Sequence, residues 1–315
     1  DEGALQVGDM MAFIQYTMQI IMAFLMISML SVMLPRASVS AKRITEILET
    51  EVSIQEPEQP KKPSGDRKGE VEFSHVSFRY PGAEEEVLHD ITFTAKKGET
   101  VAFIGSTGSG KSTLVNLIPR FFDVSEGSIC IDGVDIREMD IKDLRSRLGY
   151  VPQKGVLFSG TIESNLRFGA GEASMEELNK AADIAQASEF IAAKDDGMQS
   201  PIAQGGTNVS GGQKQRLSIA RAVAKRPEIY IFDDSFSALD YKTDAALRQA
   251  LKKETSEATT LIVAQRISTI LHADKIMVLD NGNVVGSGTH KELLKSCEVY
   301  QQIAKSQLSK EELEA

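Results

Sequence analysis

The chain has 315 residues, a formal net charge of −10 and a hydrophobic fraction of 42%. That length allows one or two domains with a packed core. The acidic balance argues against a nucleic-acid-binding surface, which needs clustered Lys and Arg.

Residues 10–34 contain no Asp, Glu, Lys or Arg. About 25 residues of helix rise roughly 37 Å, enough to cross a bilayer with some tilt. A secretory signal is a poor reading. The run is too long, its leading flank is acidic at Asp1, Glu2 and Asp9, and no small-residue cleavage site follows. Arg36, Lys42 and Arg43 come after the span, so the positive-inside rule puts the downstream chain in the cytoplasm. Met11, Gln15, Met18, Met22, Met26, Met29 and Met33 recur at steps of three and four, on one helix face. Two readings of that face stay open. It packs against sibling helices with Gln15 bonded across the interface, or it lines a substrate cavity where thioethers tolerate varied apolar ligands. Both require partner helices, so the sequence is expected to be a fragment that starts just before the last span of a longer membrane domain.

A helix is expected to continue over 37–50, closing a first region at 1–50. Residues 51–68, with Pro57, Pro60, Pro63 and Gly65, read as a linker. A soluble domain follows over 69–305, then a charged tail over 306–315. Residues 71–73 and 76–78 alternate as two strands, and a second strand pair is predicted over 87–95. Tyr80, before Pro81 and Gly82, falls on a turn at a strand end. Cys130 reads as a small buried hydrophobe in a strand-like run over 128–131. It and Cys297 are the two cysteines, far apart in sequence, which points to reduced thiols in a cytosolic compartment. His75, His89 and His272 show no ligand spacing, and His290 is expected to open the next-to-last helix.

The strongest local pattern is a short apolar strand over 101–104 running into Gly105, Ser106, Thr107, Gly108, Ser109, Gly110, Lys111 and Ser112. A helix is predicted to start near Thr113. This is the phosphate-binding loop pattern in its strand–loop–helix setting. Glycines let backbone N–H groups curl around phosphates, and the helix N-terminus adds positive potential. Lys111 would reach the β- and γ-phosphates and Ser112 would ligate Mg²⁺. Downstream, the apolar run 229–232 delivers Asp233 and Asp234.

Further motifs choose among phosphate-loop families. Ser210-Gly211-Gly212-Gln213 resembles the signature of ABC ATPases, Gln153 its Q-loop, and Ser237 to Asp240 its D-loop. With a membrane span on the N-terminal side, the chain resembles the C-terminal part of an ABC exporter half-transporter. The resemblance implies an α/β P-loop nucleotide-binding domain with an antiparallel β subdomain and a helical subdomain, preceded by one transmembrane helix of an all-α membrane domain. It also implies ATP and Mg²⁺ as cofactors and a head-to-tail dimer with ATP at the interface. Each site would combine one domain's phosphate loop with the other's signature. Residues 105–113 would then hold ATP, Tyr80 would stack on adenine, and Ser112, Gln153 and Asp233 would hold Mg²⁺. Ser210 to Gln213 and Asp240 would act across the interface.

Two positions depart from that family. Asp234 stands where a Glu orients the attacking water, and Gln265 where a His acts as the switch. Both changes resemble the degenerate half of heterodimeric exporters, whose partner subunit supplies the Glu and His. Gln204-Gly205 replaces the Glu-Arg that many exporters carry, which leaves the usual contact with the membrane domain in doubt. The expected partners are a second half-transporter, the lipid bilayer of the cell membrane, and a small-molecule, lipid or peptide substrate. Three rivals stay open: an ATP-gated, non-transporting regulator, a slow homodimeric exporter, and a soluble ATPase acting on DNA or ribosomes. The apolar span and the acidic balance count against the last.

Overall fold

The computed structural model describes residues 6–63 and 68–308. Gly65 of the linker and the tail beyond residue 308 lie outside the described residues. The chain divides into two units between Gln55 and Glu56.

The first unit is dominated by one helix, α1 (Val7–Leu48), whose side chains are all exposed within the unit. The helices expected over 10–34 and 37–50 are therefore one. Pro35 lies inside it. Its nitrogen cannot donate to the carbonyl four residues back, a loss that membrane-spanning helices tolerate. Thr17 and Ser31 turn their hydroxyls back onto the carbonyls of Phe13 and Ile27, which removes polar groups from the apolar surface.

In the second unit, β1 (Val71–Phe78) and β2 (Leu88–Ala95) form an antiparallel pair. The two strands predicted over 71–78 are one strand, interrupted by a register shift between Phe73 and Val76, with His75 at φ 50°. The second predicted pair is likewise the single strand β2. Then come β3 (Thr100–Gly105), α2 (Lys111–Leu117), β4 (Glu126–Ile131) and β5 (Val134–Asp135). The order β2-β1-β4-β5 makes a four-stranded antiparallel sheet. Lys61, in the stretch that composition marks as linker, is pinned to this unit. Its backbone N–H donates to Glu138 O, and its ammonium pairs with Glu138 Oε1, both at 2.8 Å.

A helical layer follows: α3 (Ile141–Ser146), β6 (Leu148–Val151), β7 (Gly160–Thr161), α4 (Ile162–Arg167), α5 (Met175–Ile184), α6 (Ser188–Ala192), β8 (Pro201–Ile202) and α7 (Gly211–Ala224). Helices α4, α5 and α7 pack around Leu166, Leu178, Leu217 and Ile219, all fully buried. The chain continues through β9 (Ile229–Asp233), α8 (Tyr241–Glu254), β10 (Thr259–Val263), α9 (Ile267–Ile270), β11 (Lys275–Asp280), β12 (Asn283–Gly288), α10 (His290–Ser296) and α11 (Glu298–Gln307).

The large sheet has the order β12-β11-β3-β10-β9-β6, parallel except for the β12 edge. Strand β9 is buried along its whole length, which is why it reads as a continuous apolar run rather than an alternation. Register aligns the carboxyl ends of the central strands: Val263 lies beside Phe103 and Asp233, and Val151 beside Phe232. Parallel α/β sheets bind ligands at that edge. The topology thus gathers the ends of β3, β6, β9 and β10 at one place.

Candidate nucleotide-binding site

Four chain segments meet there. Gly105 ends β3 and opens the loop. A Cβ at Gly105 would stand 2.0 Å from Leu279 O, so only glycine lets the loop run past β11. Gly110 caps α2 at φ 94°, a conformation that L side chains rarely adopt. The helix starts at Lys111, two residues earlier than the sequence suggests. Lys111 is buried and folds over its own loop. Its ammonium donates to Gly105 O at 2.8 Å, Ser106 O at 2.7 Å and Ser109 Oγ at 3.3 Å. Burial pushes its pKa down, and the nearby Asp234 and Asp233 oppose that shift. A phosphate at this loop would exchange carbonyl acceptors for charged ones, which form stronger bonds.

Ser112 Oγ donates to Asp233 Oδ1 at 2.7 Å, joining α2 to the end of β9. Neighbouring ligands of an octahedral ion with metal–oxygen bonds of about 2.0–2.1 Å lie roughly 2.9 Å apart, so this oxygen pair suits Mg²⁺. Burial first, and the neighbouring Asp234, raise the Asp233 pKa, while Ser112 and Lys111 lower it. Among the described residues no cluster of three or more His, Cys, Asp or Glu could hold a metal. Mg²⁺ takes one or two carboxylates and completes its shell with phosphates and water.

Asp234 is 6% exposed and sits at φ 46°, a left-handed conformation that Asp tolerates better than most residues. Its N–H donates to Val263 O at 3.0 Å. Its Oδ2 accepts two side-chain amides, Gln265 Nε2 at 2.6 Å and Gln153 Nε2 at 3.0 Å. These residues are 81 and 31 positions apart in sequence. Gln153 is thus bonded to Asp234, not to Ser112 or Asp233. Beside them lies a void of about 10 Å³, lined in part by Asp234, Ser237 and Gln265, with room for about one water.

Tyr80 is half-buried. It packs edge-on to Phe78 and Phe122, and its hydroxyl meets Thr113 Oγ1 at 3.0 Å. The ring is therefore tied to the first turn of α2. The signature segment stands apart. Ser210 caps α7: its Oγ accepts Gln213 N–H at 3.2 Å, and Gln213 Oε1 accepts Ser210 N–H at 3.0 Å. Ser210 and Gly211 are exposed, and no hydrogen bond among the described residues links residues 210–213 to residues 105–113. Asp240 is exposed and caps α8 by accepting Thr243 N–H at 3.0 Å, a bond that lowers its pKa.

Two positioning roles escape the sequence reading. Gln215 on α7 is 1% exposed and clasps the Gln153 loop from both sides. Its Oε1 accepts Gly155 N–H at 2.9 Å, and its Nε2 donates to Pro152 O at 3.1 Å. Ser235, fully buried, donates to Val151 O at 2.9 Å and fastens the end of β6 to the segment after Asp234. A glutamine on the apolar side of α7 was the available signal for the first. Of the four histidines, His75 faces Asp90, His89 faces Glu86, and His290, opening α10, meets the buried Tyr300 hydroxyl at 2.7 Å.

Residues 88–237 match the ABC transporter family profile. An uncharacterised ABC transporter ATP-binding protein of Mycobacterium tuberculosis is 49% identical over 310 residues, covering 98% of this chain and 53% of that protein. YgaD of Bacillus subtilis, named as a multidrug-export ATP-binding/permease protein, is 41% identical over 293 residues, covering 93% of this chain and 50% of YgaD. A bacterial Atm1-family ABC exporter solved with ATP bound superposes with a TM-score of 0.82 at 34% identity, over 98% of this chain and 54% of that one. The chain spans about half the length of the curated relatives it matches.

Proposed function

The chain carries an ABC transporter ATP-binding domain, and from that premise we propose that it is the ATP-binding and permease subunit of a membrane exporter whose own site holds ATP but hydrolyses it slowly. The observation that carries the second half is the paired amide contact on Asp234 Oδ2. Hydrolysis needs a carboxylate free to orient water in line with the γ-phosphate. Asp reaches roughly 1.5 Å less far than Glu, and a misplacement of about 1 Å can cost on the order of a hundredfold. Gln265 donates a hydrogen bond, yet it carries no charge and takes up no proton near neutral pH.

The binding half rests on other groups. Lys111 and the N–H groups of residues 105–113 receive the phosphates, and Tyr80 offers its ring to the base. Ser112 and Asp233 would hold Mg²⁺, which supplies positive charge to the phosphate oxygens. Helix α1 is long and apolar enough to cross a membrane, with a mean hydropathy of 2.1 over its most apolar window. The nucleotide-binding domain would then lie in the cytoplasm. The intact Ser210 to Gln213 segment, open at the start of α7, completes a second ATP site on a partner half-transporter that supplies Glu and His. YgaD, named for multidrug export, supports an exported substrate.

In the assembled transporter, Asp234→Ala should leave ATP turnover within about twofold, while Ser210→Arg should remove nearly all of it, since the Arg side chain fills the γ-phosphate position. A collapse of turnover in Asp234→Ala would overturn the slow-site reading.

A further inference from the structure

The last turn of α11 reaches the loop that carries Gln265. Gln307 Nε2 donates to Gln265 O at 2.8 Å, and Gln307 Oε1 accepts Ile267 N–H at 2.8 Å. One side-chain amide thus grips the loop at two backbone positions, 42 and 40 residues away in sequence. The second bond answers a need of α9. The opening N–H groups of a helix have no intrahelical acceptor, and Arg266, the residue before α9, offers no side-chain cap. Gln307 supplies that acceptor from another helix.

The helix that carries this fork is anchored in the core. Tyr300 and Ala304 of α11 are fully buried, in one apolar cluster with Ala264 and Ile267. Gln265 and Arg266, between those two buried residues, are exposed, so packing alone does not set where Gln265 points. Hydrogen bonds hold it at both ends instead. Its carbonyl accepts Gln307 Nε2, and its side-chain amide donates to Asp234 Oδ2. The other amide on that oxygen is held in the same manner. Gln153 lies in a loop whose Pro152 O and Gly155 N–H are both bonded by Gln215. Two glutamine forks, one from α7 and one from α11, therefore grip the two loops that meet at Asp234.

We propose that Gln307 is a positioning residue for ATP hydrolysis at this chain's own site. It fixes the backbone of Gln265, and so sets how the side chain at that position meets Asp234 and the γ-phosphate. A shift of the end of α11 would carry the switch position with it. The inference rests on reading Asp234 as the carboxylate beside the γ-phosphate, and not on how fast the site turns over.

The test compares Gln307→Met and Gln307→Glu in the assembled transporter. Gln, Met and Glu have similar helix propensities, so both variants keep α11. Met removes both bonds, whereas Glu keeps an acceptor for Ile267 N–H and loses the donor to Gln265 O. Hydrogen exchange, resolved at single amides without nucleotide, should speed up about fivefold at Ile267 in Gln307→Met, the size expected for one neutral hydrogen bond. It should not speed up in Gln307→Glu. Single-turnover release of γ-phosphate from ATP held on this chain should slow at least about threefold in both variants, with ATP affinity kept within about twofold. These ratios test the fork, while the wild-type rate by itself tests the slow-site reading. Unchanged exchange at Ile267 in Gln307→Met, or a smaller slowing of hydrolysis in either variant, would overturn the proposal. So would equal speeding of exchange in both variants, or a loss of ATP affinity as large as the loss of rate, since each marks a merely structural effect.

Discussion

Around Asp234 the polar groups are buried and engage one another, whereas around Ser210 they bond only locally, in an exposed helix cap. Asp233 is 5% exposed and Asp234 6%, and between them they accept bonds from Ser112, Gln153 and Gln265. Ser210 and Gly211 are exposed at the start of a 14-residue helix. The first N–H groups of any helix lack intrahelical acceptors. One region turns its side-chain polar groups toward one another within the chain. The other keeps donors for something outside it. The proposed function calls for such a contrast, with a nucleotide stored on one face and a neighbour's site completed by the other. Gln215 ties the two regions together, since the helix that presents Ser210 also grips the loop carrying Gln153.

The comparison can be strained at several points. The largest effect should come from Lys111→Met, which removes the buried ammonium and should weaken ATP binding about 100-fold, as judged by equilibrium dialysis with labelled ATP. A charged hydrogen bond is worth roughly 1.5–3 kcal/mol, and more than one would be lost. Next, Asp234→Glu combined with Gln265→His should raise hydrolysis at this chain's own site about tenfold in single-turnover assays, because the lengthened carboxylate recovers reach and the imidazole a titratable nitrogen. No gain would mean that the inward bonding is not what limits the site.

A pH series sharpens the same contrast. The Asp233 pKa is raised by burial and by Asp234. Mg²⁺ needs the ionised carboxylate, so Mg²⁺-dependent nucleotide affinity should hold steady above that pKa. Below it the affinity should fall, approaching tenfold per pH unit, from a pH higher than the ordinary aspartate value of about 4. The ligand-free protein should show the opposite sign at this group. A raised carboxylate pKa contributes stability below the unfolded value and loses it as pH rises through the folded one. Smallest of all, Ser210→Ala should cost about 1 kcal/mol of stability through the lost helix cap, while Ser210→Gly should cost only a few tenths. Urea melts would measure both.

Much of the fold was legible because its signals are local. The run 229–232 is apolar throughout since both faces of β9 are covered, and the glycines of the phosphate loop mark conformations that other residues avoid. Errors came where a local signal misled. His75 breaks the alternation of β1 by a bulge and makes one strand look like two. The sequence places Gln153, Asp234 and Gln265 in one centre only through motif order. That two amides share a single carboxylate oxygen is set by the parallel register of β6, β9 and β10, which no local pattern encodes.

The most direct measurement is the fate of nucleotide on this chain within the assembled transporter. Photolabelling with 8-azido-ATP carrying the radiolabel on either the α- or the γ-phosphate, after several turnovers, reports whether the bound molecule is still a triphosphate. The account predicts that this chain retains the γ-label nearly as well as the α-label, while its partner retains only the α-label. Loss of the γ-label from this chain at the partner's rate would contradict it.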